Sequence, residues 1–255
     1  MDMRWPAQFA GLEALAVAAA AWPRYSYAFQ PIIDVDARRV VSYEALIRGP
    51  GGEAAPSVLD RVSAASRYPF DWTSRTSAIA LATRLGLQCH LNLNFLPQGL
   101  EISTDSITTT LEAASRCGLP IERIVLEVTE GEAIADYARF AATLNRFRSS
   151  GLKVAIDDFG AGYSGLNLLA DFQPDQVKID MNLVRGIERN GPRQAIVRAV
   201  SQVCEDLGID VIAEGVETVH EYEWFVGQGV RLFQGYLFAK PGFESLPPAR
   251  FPTMA

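Results

Sequence analysis

From residue 24 onward the chain alternates short β-like runs with helical patterns, and most of those runs are rich in Val, Ile and Leu. The candidate strands span residues 25–33, 40–44, 90–94, 124–129, 154–157, 176–180, 211–214 and 232–234. Runs this short and this apolar suit strands buried on both faces, the condition of a parallel sheet covered by helices. Between them, Tyr137, Phe140, Ala141, Leu144 and Phe147 recur at three- and four-residue steps, as do Ile196, Ala199, Val200, Val203 and Leu207. Each set predicts a helix whose apolar stripe covers a sheet. Asp136 suits an N-cap, and Gly151 and Gly208 stand where C-caps belong. Roughly eight strand–helix units in about 230 residues predict a TIM-like (β/α)8 barrel. The first two strands are joined by only Asp34-Val-Asp-Ala-Arg-Arg39, too short for a helical crossover. They read as a hairpin, so the first strand runs antiparallel to the second. A doubly wound open sheet is the alternative, but no Gly-rich phosphate loop follows the first strand.

The more informative feature is which residues end these strands. Glu44 closes the second, Asn92 lies in the third and Glu127 in the fourth. Asp157 and Asp158 end the fifth, Lys178 lies in the sixth, Glu214 ends the seventh and Gln234 the eighth. Subtracting residue numbers from Glu44 to Asn92, Glu127, Asp157, Lys178, Glu214 and Gln234 gives steps of 48, 35, 30, 21, 36 and 20, which fit one strand–helix unit each. A charged group in an apolar strand is costly unless paired or metal-bound. One such residue is ordinarily a structural ion pair, but seven successive strands delivering polar groups at similar depth are not explained that way. In a barrel the C-terminal strand ends converge on one mouth. Five carboxylates gathered there repel one another, so their pKa values rise or cations bind. Two divalent ions carry four positive charges, close to the charge of Glu44, Glu127, Asp157, Asp158 and Glu214. An all-oxygen set that includes the Asn92 amide favours Mg²⁺ or Mn²⁺ over zinc. His90 and His220 fall outside it, and His90 reads as a packed strand residue. Paired divalent ions suit the in-line displacement of a phosphodiester.

Composition sets the frame for this chemistry. The 255 residues are 49% hydrophobic and 21% charged, an ordinary globular balance. A net charge of −7 argues against a nucleic-acid polymer as partner. An acidic protein can still take an anionic substrate when metal ions lie between them. Cys89, Cys117 and Cys204 are scattered and odd in number, which reads as reduced thiols in a cytoplasmic protein. The alanine-rich stretch 12–22 is shorter than the ~20 residues that cross a bilayer. Residues 18–21 could mimic a signal-peptidase site, but the stretch before them offers only Arg4 and also carries Asp2. We read residues 1–24 as a helical extension, 25–250 as the barrel, and no membrane as partner.

The strings Phe29-Gln-Pro-Ile, Glu44-Ala-Leu-Ile-Arg48, Asn92-Leu-Asn, Glu127-Val-Thr-Glu130, Asp157-Asp-Phe-Gly-Ala-Gly-Tyr163, Lys178-Ile-Asp180, Glu214-Gly-Val-Glu217 and Gln234-Gly-Tyr236 occur in this order. Together they resemble the EAL domain family over nearly the whole chain. The resemblance implies a phosphodiesterase that linearises the bacterial second messenger cyclic di-GMP to pGpG with two Mg²⁺ or Mn²⁺ ions. It places Glu44, Asn92, Glu127 and Asp157 on one ion, and Asp157, Asp158 and Glu214 on the other. It makes Lys178, Glu214, Gln234 and Glu44 catalytic, with Lys178 orienting the attacking water and Asp180 restraining Lys178. Gln30, Leu46, Arg48, Asp180, Glu217 and Pro241 become substrate contacts, and Arg48 can grip a phosphate in bidentate fashion. For Arg48 the plainer alternative is a surface salt bridge. Glu130 resembles the anchor of a mobile loop over 158–165, with a solvated acid as its alternative. Ala161 and Gly165 stand where the family often has Thr and Ser, and no metal ligand is replaced. The strings Ile47-Arg-Gly-Pro-Gly-Gly-Glu53 and Asn94-Phe-Leu-Pro97 are similar to the subgroup joined to blue-light sensors. A homodimer and a regulatory protein acting in trans are implied on the same grounds. Two rivals stand beside this reading. One is a cyclic di-GMP receptor or scaffold with little turnover. The other is a different Mg²⁺-dependent barrel enzyme that stabilises an enolate, which also uses strand-end acids and a lysine.

Overall fold

A computed structural model of the chain describes residues 22–102, 105–129, 137–162, 169–170 and 172–252. The stretch 12–21, the Asp136 cap, the Glu130 anchor and Gly165 lie outside these residues. The strands are β1 (Ser26–Asp34), β2 (Arg39–Arg48), β3 (His90–Phe95), β4 (Ile124–Thr129), β5 (Lys153–Phe159), β6 (Gln176–Ile179), β7 (Asp210–Ala213), β8 (Leu232–Phe233) and β9 (Gly242–Phe243). From β2 to β8 each strand pairs in parallel with the next. β1 pairs antiparallel with β2 along its whole length, from Ser26 opposite Arg48 to Asp34 opposite Arg39. Its other edge takes β8 at Ile33 and Asp34, and β9 at Ala28 and Phe29. The sheet therefore closes on itself as an eight-stranded mixed barrel, with the reversed first strand that the short β1–β2 loop requires. Asp34 holds that loop. Its Oδ1 accepts from the N–H groups of Asp36 and Ala37 at 3.0 and 2.9 Å, and its Oδ2 accepts from Arg231 at 2.7 Å.

Helices cover the barrel: α1 (Arg67–Arg84), α2 (Asp105–Arg116), α3 (Tyr137–Arg148), α4 (Gly191–Leu207) and α5 (Val219–Val226). On α3, Phe140, Ala141 and Leu144 are buried as their spacing predicts. Gly208 ends α4 in the left-handed region at φ 71°, and its N–H reaches back to the carbonyls of Cys204 and Glu205. The stripe expected on α4 is only partly right. Val200 is buried, but Ile196, Val203 and Leu207 are 50%, 36% and 39% exposed, and Ala199 is exposed. The face that meets the barrel is Val197, Val200 and Cys204. Both sets have helical spacing, so periodicity alone does not choose between them. Asn190 sets the helix start by accepting from the N–H of Arg193, and Gln194 donates to the carbonyl of Ile187.

The barrel interior is layered. Side chains two residues apart on a strand share a face. Below Gln30, Glu214 and Gln234 therefore lie Ile32, Ile212 and Leu232, which form an apolar cluster with Val41. This plug closes the base of the barrel and leaves the polar residues at the mouth.

Candidate metal centre and active site

Lys178 is the hub of the mouth. Its side chain is fully buried, and its Nζ stands 3.2 Å from Glu44 Oε2, 3.0 Å from Glu127 Oε1, 2.9 Å from Asp157 Oδ1 and 3.2 Å from Glu214 Oε1. Gln234 Nε2 donates to Glu44 Oε2 at 2.7 Å and lies 3.4 Å from Gln30 Oε1. Gln30 in turn donates to the Ala239 carbonyl at 3.2 Å. Asn92 donates from Nδ2 to Glu127 Oε1 at 2.8 Å, while its Oδ1 accepts from Ser42. Residues from all eight barrel strands or their ends thus meet at the mouth.

Asp157 and Asp158 are adjacent, and an unbroken strand would send them to opposite faces. The β5–β6 register is irregular between Ile156 and Phe159, and Asp158 adopts a left-handed φ of 55°. That conformation, which costs about 1 kcal/mol outside glycine, turns both carboxylates to the mouth. As a result Glu44, Glu127 and Asp157 bring ligand oxygens within 4.8 Å of one another, and so do Asp157, Asp158 and Glu214. These are the two sets of acids that the sequence reading groups together, sharing Asp157, with the Asn92 amide beside the first.

Electrostatics support cations there. Burial and the neighbouring Glu44 charge push Glu127 well above the usual carboxylate range. Burial, with Asp157 and Glu44 adding repulsion, lifts Glu214 to about 8. Burial and the Asp157 charge lift Asp158 to about 6. Burial alone would lower Lys178, but the surrounding carboxylates outweigh it and hold the ammonium well above its ordinary value. Five acids and one lysine leave a formal charge of −4, which two divalent ions would balance. Glu127 Oε2, Glu214 Oε2 and Gln234 Oε1 are buried without a hydrogen-bond partner. Orphaned buried oxygens of this kind are what missing ligands leave behind. The residues fit a pair of oxygen-loving cations.

The other expected positions are spread around the rim. Arg48 donates to its own chain at the Ile47 carbonyl and is only half-buried, so its outer edge is open. With Leu46 and Asn94 it lines a cavity of about 540 Å³ that runs between the β2–α1 connection and α1. Glu217 is ion-paired with Arg185 at 2.8 Å. Pro241 is half-buried immediately before β9. Asp180 does not restrain Lys178 as expected. The strand ends at Ile179, and Asp180 Oδ1 caps the following turn by accepting from Asn182 N and Nδ2 at 2.9 and 2.7 Å. Three further residues support the site: Ser42 beneath Asn92, and Arg185 and Glu221 behind Glu217. Glu221 had a legible signal, since Thr218-x-x-Glu221 is the capping-box pattern, and both of its reciprocal bonds form. Ser42 and Arg185 had none. Glycine is obligatory at 235, where a Cβ would lie 2.0 Å from the Val216 carbonyl oxygen, because the connection after β8 packs backbone-to-backbone on the connection after β7.

The EAL domain family model matches residues 16–241. The chain belongs to the EAL domain family. Among curated EAL relatives, it is 35% identical over 227 residues to the blue light- and temperature-regulated antirepressor BluF of Escherichia coli, covering 89% of this chain and 56% of BluF. It is 28% identical over 249 residues to the cyclic di-GMP phosphodiesterase PA2567 of Pseudomonas aeruginosa, covering 94% of this chain and 42% of that one. The chain thus spans about half the length of these relatives. A standalone EAL protein of Vibrio cholerae O395, solved in its c-di-GMP-bound form, superposes with a TM-score of 0.85 at 48% identity over 89% of this chain and 95% of that one. BlrP1 of Klebsiella pneumoniae, solved with calcium and cyclic diGMP, superposes at 0.83 with 44% identity over 89% of this chain and 59% of that one.

Proposed function

We propose that this EAL barrel hydrolyses cyclic di-GMP to linear pGpG with two Mg²⁺ or Mn²⁺ ions. The observation that carries the reading is the convergence of two three-carboxylate groups, sharing Asp157, around the buried Lys178. Glu44, Asn92, Glu127 and Asp157 would hold one ion, and Asp157, Asp158 and Glu214 the other. Such a pair supplies an activated water and charge stabilisation for in-line displacement at phosphorus. Lys178, set among these carboxylates, would orient the attacking water and help polarise it. Gln234 fixes Glu44 through its amide and orients the substrate-side edge of the cup. Gln30, Leu46, Arg48, Asp180, Glu217 and Pro241 would hold the dinucleotide along the rim, with Arg48 on a phosphate.

The barrel over 25–250 is the working unit, with 1–24 as an extension. We place it in the cytoplasm, where the free Cys89, Cys117 and Cys204 stay reduced. Among the described residues no helix is long and apolar enough to cross a membrane. A homodimer has a candidate surface in the exposed face of α4. A second copy would cover Ile196, Val203 and Leu207 there.

A second reading is a cyclic di-GMP receptor that acts on a regulatory protein in trans. It is favoured by the likeness to BluF, an antirepressor. Chromatography of cyclic di-GMP after incubation with the protein and Mn²⁺ decides between them. Linear product from the wild type, absent with Glu44→Ala, supports the hydrolase. Bound but intact cyclic dinucleotide refutes it in favour of the receptor.

A further inference from the structure

Glu221 is 1% exposed, yet it lies outside the metal cup. Its carboxylate is saturated by backbone. Oε1 accepts from the Gly186 N–H at 3.0 Å, and Oε2 accepts from the N–H groups of Glu217 and Thr218, each at 3.0 Å. Burial alone would raise its pKa, but these three donors and Arg185 hold it below the usual carboxylate value. A capping box needs only the local bonds between Thr218 and Glu221. The bond to Gly186 is not local. It ties α5 to the connection that follows β6, which begins at Asp180, two residues after Lys178.

Arg185 completes the tie. Its Nη2 stands 2.8 Å from Glu217 Oε1, and its Nη1 stands 3.6 Å from Glu221 Oε1. Its backbone carbonyl accepts from Arg193 at the start of α4. One guanidinium therefore spans the buried carboxylate and the half-exposed one. Glu217 has one oxygen held by Arg185, and its main-chain N–H is held by Glu221. The connections leaving β6 and β7 are locked together three residues beyond Glu214.

We infer that Arg185 and Glu221 are positioning residues that fix the Glu217 carboxylate for substrate binding, by pinning the connection after β7 to the connection after β6. The inference rests on the reading of Glu217 as a substrate contact. Glu221 keeps its three main-chain donors without Arg185, so the loss of Arg185 falls mainly on the Glu217 carboxylate rather than on the fold. A carboxylate that swings free loses its preorganisation toward the substrate in ground and transition states alike, which raises KM and spares kcat.

The test is steady-state hydrolysis of cyclic di-GMP with Mn²⁺ by wild type, Arg185→Met, Glu217→Ala and the double variant. Arg185→Met should raise KM about tenfold with kcat changed less than about twofold and the melting temperature nearly unchanged. The double variant should be no worse than Glu217→Ala alone, because Arg185 acts through Glu217. An unchanged KM in Arg185→Met overturns the inference, as do fully additive losses in the double variant. Glu221→Gln keeps an acceptor oxygen and should raise KM less than Glu221→Ala. The reverse order also counts against it. If the wild type binds cyclic di-GMP without cleaving it, the hydrolase reading fails separately, and the same variants are compared by Kd in titration calorimetry.

Discussion

At Lys178 one ammonium faces carboxylates of Glu44, Glu127, Asp157 and Glu214, all between 2.9 and 3.2 Å away. Removing one partner of a buried charge cluster ordinarily costs about 3–5 kcal/mol. Here divalent cations can take over the neutralisation, so that loss should depend on metal. We expect Lys178→Ala to lower turnover by at least about 100-fold and to melt well below wild type in EDTA but close to it in Mn²⁺. Equal destabilisation in both conditions would show that the cup does not exchange lysine charge for metal charge. Gly235 is the other single residue with a sharp expectation. Its missing Cβ lets two backbones touch beside Gln234 and Val216. Gly235→Ala should destabilise by about 1–3 kcal/mol, read by chemical denaturation. A neutral substitution would mean that the two connections part without loss.

Among the elements, the strand ends were legible because an acid in an apolar run has few bland explanations. Glu44, Glu127, Asp157 and Glu214 stood out for that reason, and the structure brings them together. The hairpin of β1 and β2 was legible from the length of its loop. What stayed hidden depended on contacts remote in sequence. Which of two apolar stripes α4 buries is decided by its seating on the barrel. Asp180 turns to its own cap once the strand stops at Ile179. The inward turn of Asp158 needs the irregular β5–β6 register. The convergence of strands also sets a pH dependence. Without metal, Glu214 is raised to about 8, so the folded state holds a proton that the unfolded state releases near 4.5. That contribution to stability is complete below about pH 4.5 and is lost as pH rises through about 8. Metal-free protein should therefore melt progressively lower over this window. Mg²⁺ should raise the melting temperature more at pH 8 than at pH 6, because the ligands must deprotonate to bind it. A metal-induced shift that is the same at both values would contradict this.

For the whole molecule, the apolar residues left on α4 are more than an isolated exposed side chain would explain. If a second copy covers them, Val203→Glu should shift the protein toward monomer in light-scattering chromatography. A wild type that is monomeric at tens of micromolar would remove this surface from consideration. The reversed β1 has a wider consequence. Because Ser26 lies opposite Arg48, at the far end of β2, the polypeptide arrives at the open rim of the barrel and not at its sealed floor. Trp22, the first described residue, is already stacked edge-on against Phe70 at the head of α1. The chain ahead of that tryptophan is therefore fastened on the mouth side, at the head of the helix whose Arg67, Phe70 and Asp71 line the groove beside Leu46 and Arg48. A pull on the chain at that point would bear on the rim through this helix and not through the barrel wall.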